Sequence, residues 1–222
     1  MKAASLLKPT VALGAPTVAY LKVVRPWVLN WGATKEEAAR PMPGDEILPG
    51  AALQTTRVVT VDAAPDCIWP WLVQMGPRPR AGAYTYDWIE RLLGIVIENT
   101  DRILAEYQHL EVGEFLTLNE KGTGIIVRDV QPERFLLLQW VPAKSTWAFG
   151  LYPQEGDGTR LVSRNRLPGS GPLFWLGMVA FMEPGSLVME RKMLLGIKRR
   201  AEALARAPDR SRPWPTGSWL DG

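Results

Sequence analysis

The chain has 222 residues, of which 46% are hydrophobic and 22% charged, a composition typical of one soluble globular domain with extensions. Wholesale disorder, collagen and a polytopic membrane protein are excluded on these numbers. The single cysteine, Cys67, and the single histidine, His109, exclude intramolecular disulfides, multi-thiolate sites and multi-histidine metal sites. The sequence also contains no GxGxxG, P-loop or HExxH motif, so we predict neither a metal nor a cofactor.

Basic residues are concentrated at the two ends of the chain. Residues 1–31 carry four basic residues and no acidic one, and residues 190–212 carry eight basic against three acidic residues. A nucleic-acid binder usually distributes basic groups over a folded face, with aromatic platforms between them. We therefore predict no nucleic-acid partner and favour anionic lipid as a partner for the termini.

The N-terminal arm contains thirteen uncharged residues between Lys8 and Lys22. A helix of that length is too short to cross a bilayer. Three interpretations stay open: a cleaved signal peptide, a lipid-surface segment that continues through Trp27 and Trp31, and an arm packed on the domain.

The first predicted elements follow in chain order. Thr34 and Glu37 form a capping-box pattern, which predicts a short helix that ends before Pro41. Residues 53–61 are predicted to form a strand, 66–75 a helix, 76–82 a loop and 83–93 a second helix.

From about residue 113 the hydrophobic period changes from 3.6 to 2, which predicts a run of strands with tight turns. The connections are too short for crossovers, so the strands form an antiparallel meander. An apolar segment, 172–182, follows, then a break at Pro184-Gly185 and a helix over 186–207. The predicted strands are 113–119, 124–130, 134–141, 145–153 and 159–167.

This order of elements is α+β and requires the last helix to cover the sheet. We predict a helix-grip fold, a curved antiparallel sheet of six to seven strands wrapped on a long C-terminal helix. The segments WGATKEEAARPMPGDE (31–46), IWPWLVQMG (68–76), AGAYTYDWIERLLG (81–94) and VMERKMLLGIKRRAE (188–202) carry a resemblance to the SRPBCC superfamily. This superfamily includes START-related and polyketide cyclase/dehydrase-like proteins, and the chain resembles a bacterial branch from which no catalytic residue can be transferred.

The resemblance implies a deep apolar cavity between the sheet and the C-terminal helix, in a fold that more often binds than catalyses. We divide the chain into an arm and connector (1–50), a ligand-binding domain (51–207) and a flexible tail (208–222). A cytoplasmic location is expected, with membrane association as an open alternative.

Glu190 lies on the apolar stripe of the C-terminal helix, which indicates a buried carboxylate. It is either a polar anchor or acid in the cavity, or a structural partner of an arginine. On the last strand, one register turns Ser163 and Asn165 into the cavity, and the other turns Arg164 inward to pair with Glu190 or a ligand. Trp147 shares an inner face with Phe149, and the direction of Trp140 stays open.

The segment Tyr84 to Trp88 follows a glycine-rich loop and suits the mouth of a cavity. We expect Tyr84, Tyr86 and Asp87 to line it. The alternative is that Tyr84 only packs and Asp87 only favours a helix N-terminus.

The leading functional hypothesis is binding of an apolar small molecule or lipid in the cavity, with its transport as an open extension. A cyclase-like enzyme that uses Tyr84, Tyr86 or Glu190 as general acid or base is the first alternative. The second is a membrane-associated interaction module, in which residues 1–31 and 172–182 contact lipid. Segment 172–182 is too apolar for an ordinary exposed loop, so it is either a lipid-facing entrance or buried against the protein.

Overall fold

Six antiparallel strands form one curved sheet in the computed structural model, which describes residues 18–86, 88, 99–118, 122–156 and 158–207. Their spatial order is β1-β6-β5-β4-β3-β2, so the first and last strands pair and close the meander. The strands are β1 (Leu53–Val61), β2 (Phe115–Thr117), β3 (Gly124–Gln131), β4 (Phe135–Val141), β5 (Thr146–Pro153) and β6 (Thr159–Leu167).

Five α-helices accompany the sheet in the described residues. A π-helical turn, Tyr20–Val24, leads into the first helix, and another, Met178–Met182, joins the last two. The helices are α1 (Arg25–Leu29), α2 (Lys35–Ala39), α3 (Pro65–Val73), α4 (Pro172–Gly177) and α5 (Glu183–Arg206).

The helix α5 lies across the concave face of the sheet and closes the main core. Leu194, Ile197 and Ala201 are fully buried there, because their helical spacing turns them toward β1 and α3. Val59, Leu138 and other alternate residues of the strands supply the facing surface. The predicted helix-grip fold is confirmed, with six strands.

The convex face of the sheet is also covered. Residues 33–42 pack over a second, smaller core, so the connector before β1 buries the outward-facing side of the strands. The buried members of this second core are Met42, Val58, Phe135, Leu137, Ala148 and Val162.

The capping box predicted at Thr34 is confirmed. The Glu37 N–H donates to Thr34 Oγ1 at 3.1 Å, and the Thr34 N–H donates to Glu37 Oε2 at 2.8 Å. The predicted β1 also matches the observed strand.

Two boundaries were predicted wrongly. The chain does not break at Pro184, because the π-helical turn before it widens the helix and Pro184 occupies the first turn of α5, where its missing N–H costs little. The helix expected from residue 83 does not begin there, since Tyr84 has a φ of 57° and residues 83–86 are not helical. Residues 87 and 89–98 of that predicted helix lie outside the described residues.

Residues 25–33 dock against the domain. The Val58 N–H of β1 donates to the Trp31 carbonyl at 3.0 Å, and Arg25 forms an ion pair with the buried Glu183 at 2.7 Å. At Gly32, whose φ is +76°, a Cβ would lie 2.0 Å from the Val58 carbonyl oxygen, so this approach requires glycine. The packed-arm interpretation therefore describes this stretch, while residues 1–17 and the tail 208–222 lie outside the described residues.

Two helical segments, 18–27 and 173–188, carry apolar side chains that are exposed. In the described part of the chain, no helix is both long and apolar enough to cross a membrane. We call the exposed apolar residues of the two segments 18–27 and 173–188 the apolar platform. They are Val18, Leu21, Val23, Val24, Trp27, Leu173, Trp175, Leu176, Phe181, Met182 and Val188.

Candidate functional site on the concave face

A buried polar cluster joins α5 to the concave face of the sheet. The Glu190 carboxylate accepts hydrogen bonds from the Arg57 guanidinium, from the Ser163 hydroxyl and, at 3.0 Å, from Asn165 Nδ2. Arg57 and Ser163 are fully buried and Glu190 nearly so. The carboxylate predicted on the apolar stripe of α5 thus belongs to an internal ion pair and accepts hydrogen bonds from two further donors.

Arg57 connects this cluster to the N-terminal arm. Its Nε and Nη2 donate to the Val28 carbonyl at 3.3 and 3.2 Å, and Nη2 donates to Ser186 Oγ at 3.0 Å. A buried charge costs several kcal/mol unless it is paired and hydrogen-bonded, and here both charges are. The cluster therefore fixes α1, β1, β6 and α5 relative to one another.

Two stacked tryptophans continue the site along the sheet. Trp147 Nε1 donates to Ser163 Oγ at 3.0 Å, so this hydroxyl receives one hydrogen bond and gives another to Glu190. The Trp140 and Trp147 rings lie 6.3 Å apart at an interplanar angle of 21°. Trp140, Trp147 and Asn165 are partly exposed, unlike Glu190 and Ser163 behind them, so they form the accessible part of the site.

Thr55 lies beside these residues on the same face. It is the register partner of Asn165, which is in turn the partner of Trp147 on the next strand. Opposite residues on one face place their Cβ atoms about 5 Å apart. Thr55 is only 3% exposed, and its Oγ1 is buried without a hydrogen-bond partner among the described residues. A buried hydroxyl without a hydrogen-bond partner lowers the stability of the fold. Because its bonding capacity is unused, it can donate to or accept from a polar group of a ligand.

The register with Arg164 inward is wrong, and so is its pairing with Glu190. Period-2 alternation turns Ser163 and Asn165 to the concave face, so Arg164 points to the convex face. There it is buried under the connector and pairs with Asp45 at 2.8 Å. Arg57, one strand away, occupies the position beside Glu190.

Tyr84 and Tyr86 lie apart from this cluster, in a groove between α5 and the residues around position 85. Tyr84 is buried. Its hydroxyl donates a hydrogen bond to the Trp71 carbonyl at 3.0 Å and accepts one from Gln74 Nε2 at 2.9 Å. Burial raises the pKa of the Tyr84 phenol, so it stays protonated. A satisfied interior phenol packs rather than exchanging protons with a substrate. Asp87 lies outside the described residues.

Arg57 was missed in the sequence analysis, although a signal for it was present. Leu53, Thr55, Arg57, Val59 and Val61 share one face of β1 by their alternation. The face that carries the apolar residues is the core face, so a basic residue on it requires a buried acid. Glu190 was the matching acid on the covering helix.

The polar groups of the cluster are hydrogen-bonded to one another. Both oxygens of Glu190 already accept hydrogen bonds, one from Arg57 and the other from the Ser163 hydroxyl and Asn165 Nδ2. In the described residues, no three histidine, cysteine or acidic side chains converge on a metal site.

No protein-family model matches the sequence, and no curated protein matches it. Solved structures with a similar chain path include DynU16 of the dynemicin biosynthetic locus, at 17% identity and a TM-score of 0.38, over 64% of this chain and 46% of DynU16. The polyketide cyclase-like Cgl2372 from Corynebacterium glutamicum matches at 13% identity and 0.33, over 69% of this chain and 89% of Cgl2372. The Aha1 protein from Colwellia psychrerythraea matches at 14% identity and 0.41, over 68% of this chain and 96% of Aha1. The fold assignment rests on the strand order and on the position of α5.

Proposed function

We propose that the protein binds an apolar small molecule or lipid that carries one polar group, on the concave face of the sheet. The observation that carries this proposal is the partly exposed pair Trp140 and Trp147 beside the unpartnered Thr55 hydroxyl. Indole surfaces contribute large apolar contact areas, and a single polar partner fixes orientation. The ion pair of Arg57 and Glu190 keeps α5 in place above this surface.

The test measures the affinity of Nile red, a neutral polycyclic fluorophore with one ring carbonyl, for matched tryptophan variants. Trp140→Ala removes half of the stacked pair and is expected to weaken binding about tenfold, which corresponds to about 1.4 kcal/mol. Trp27→Ala is the control, because Trp27 is exposed on α1. Equal weakening by both variants would contradict a site on the concave face, as would no binding to the wild-type protein.

A cyclase-like activity is less well supported by the same contacts. Tyr84 is interior with a bonded hydroxyl, and Glu190 is held by three donors. Neither group is free to move a proton to or from a ligand in this arrangement.

A second candidate function, attachment to a membrane surface, is supported by the apolar platform. Phe181 is 77% exposed and Val23 is 68% exposed, on two helical segments that the ion pair of Arg25 and Glu183 holds together. An exposed apolar patch flanked by Lys22 and Arg25 is typical of a lipid-facing surface. Such attachment would bring the concave-face site to the source of an apolar ligand.

Liposome sedimentation tests this second candidate. We expect wild type to pellet with vesicles that contain phosphatidylglycerol, and a Val23→Ser, Phe181→Ser variant to pellet severalfold less. Val112→Ser is the control, because Val112 is exposed elsewhere on the molecule. Equal pelleting of the platform variant and the control would contradict membrane attachment through this surface.

A further inference from the structure

The groove that contains Tyr84 and Tyr86 lies on the opposite side of α5 from the polar cluster of Glu190. It has a volume of about 660 Å³ and runs between the helix and the residues around Tyr86. Glu190 and Lys192 are two residues apart, so they point about 200° apart around the helix. The groove is therefore separate from the concave-face cluster. Its described lining residues are Tyr84, Thr85, Tyr86, Trp88, Asn99, Lys192, Leu195, Gly196, Arg199 and Arg200.

The described lining residues of the groove carry an excess of positive charge. Arg200 forms an ion pair with Asp101, but Lys192 and Arg199 have no carboxylate partner among the described residues. Lys192 Nζ lies 5.5 Å from the centroid of the Tyr86 ring, and Arg199 is exposed. Burial lowers the pKa of the Arg200 guanidinium, Asp101 raises it, and the like charge of the neighbouring Arg199 lowers it by a smaller effect. An anion in the groove would relieve this repulsion between like charges.

Apolar surface continues from the basic groove along the same face of the helix. Within α5, Lys192 and Arg199 are seven residues apart, as are Val188 and Leu195, and these two pairs fall on one stripe. Val188 is half exposed, and Trp88 is exposed at the rim of the groove. A ligand whose charged end lies between Lys192 and Arg199 would extend its apolar part toward Val188, the member of the apolar platform that lies on this stripe.

We propose that this groove binds an amphiphilic anion, a phosphate or carboxylate group on an apolar chain, with Lys192 and Arg199 as its charge partners. Charge-assisted hydrogen bonds to the two cations provide specificity for the anionic group, and the stripe toward Val188 provides apolar contact. The same chemistry occurs in a single-chain amphiphile in solution and in an anionic lipid of a bilayer. The inference does not depend on the ligand of the concave face.

Isothermal titration calorimetry with decyl phosphate below its micellar concentration tests the groove. Lys192→Gln and Arg199→Gln are each expected to weaken binding about tenfold, and Arg206→Gln is the matched control, since Arg206 is exposed on the same helix outside the groove. Inorganic phosphate and decyl maltoside are expected to bind at least tenfold more weakly than decyl phosphate. Inorganic phosphate lacks the apolar chain, and decyl maltoside lacks the anionic group.

Vesicles of phosphatidylcholine with phosphatidic acid distinguish the two sources. A loss of pelleting by Arg199→Gln but not by Arg206→Gln assigns the site to bilayer lipid. Equal pelleting together with the calorimetric loss assigns it to a soluble amphiphile. Equal dissociation constants of decyl phosphate for Arg199→Gln and Arg206→Gln would overturn the proposal, as would equal affinity for decyl maltoside. Trp140→Ala is expected to leave decyl phosphate binding unchanged, so failure of this site and failure of the concave-face proposal are distinguishable.

Discussion

Two buried arginines on neighbouring strands, Arg57 of β1 and Arg164 of β6, point to opposite faces of the sheet and are stabilised in different ways. Arg57 pairs with a single buried carboxylate, Glu190 of the covering helix. Arg164 pairs with the partly exposed Asp45 and also donates to three carbonyl oxygens of the connector. Arg57 is thus compensated by a buried counter-ion and one backbone carbonyl, whereas Arg164 is compensated by a partly exposed counter-ion and three backbone carbonyls. The first arrangement holds α5 above the candidate site, and the second holds the end of α2 and the residues after it against the sheet.

The largest expected loss of stability follows from breaking the ion pair of Arg57 and Glu190 on the concave face. Glu190→Ala leaves Arg57 buried without its counter-ion and is expected to cost about 3–5 kcal/mol in urea unfolding. The double variant Arg57→Met, Glu190→Met removes both charges and is expected to recover most of that loss. Glu106→Ala, at an exposed position, is the control. A Glu190→Ala loss no larger than the control's would show that the pair is not buried.

A smaller effect is expected on the convex face. Arg164→Met removes hydrogen bonds to Thr56 Oγ1, Asp45 and the connector carbonyls, with an expected cost of about 2–3 kcal/mol. The freed carbonyls can bind water once the connector lifts, so the loss is local. Hydrogen exchange is expected to accelerate in residues 37–48 and to stay slow in α5. Arg134→Met, at an exposed turn position, is the control, and equal acceleration in α5 would contradict the contrast between the two arginines.

The smallest expected effect lies at the edge of the connector. A hydrogen bond from Arg160 lowers the pKa of the Glu37 carboxyl below its ordinary value. Because the folded-state pKa is depressed, Glu37 contributes stability above its ordinary pKa and loses it as the pH falls through the folded value. Glu37→Gln is expected to lower stability by under about 1 kcal/mol at pH 7, and the difference should be smaller at pH 3 than at pH 7. Thermal melts at both pH values measure this, and a constant difference would contradict the ion pair.

The regular elements and the position of Glu190 could be predicted because they follow from local periodicity. The bounds of β1 and β6 follow from alternation, and the stripe of α5 places Glu190 toward the sheet. Alternation on β1 marks Arg57 as a basic residue on an apolar face, but the choice between Arg57 and Arg164 as the partner of Glu190 still depends on which face of each strand is concave. That information lies in the strand pairing, between residues more than a hundred positions apart.

Tyr84 shows a second kind of limit. Its φ is positive, its hydroxyl is bonded in the interior, and it lies so close to Gly196 of α5 that a Cβ there would lie 3.2 Å from the Tyr84 Cβ. A local pattern of aromatic and acidic residues predicts a helix there, and the tertiary contact overrides it. The direction of Trp140, left open by the sequence, follows from its pairing with Ile125 in the sheet.

The most direct test of the concave-face site is the Thr55→Val substitution. It replaces an unpartnered buried hydroxyl with a methyl group of the same shape, so the stability to urea is expected to stay unchanged or to rise. If this hydroxyl bonds the polar group of a ligand, the affinity for Nile red should fall about fivefold to tenfold in the same variant. Unchanged affinity with unchanged or increased stability would contradict the proposed site.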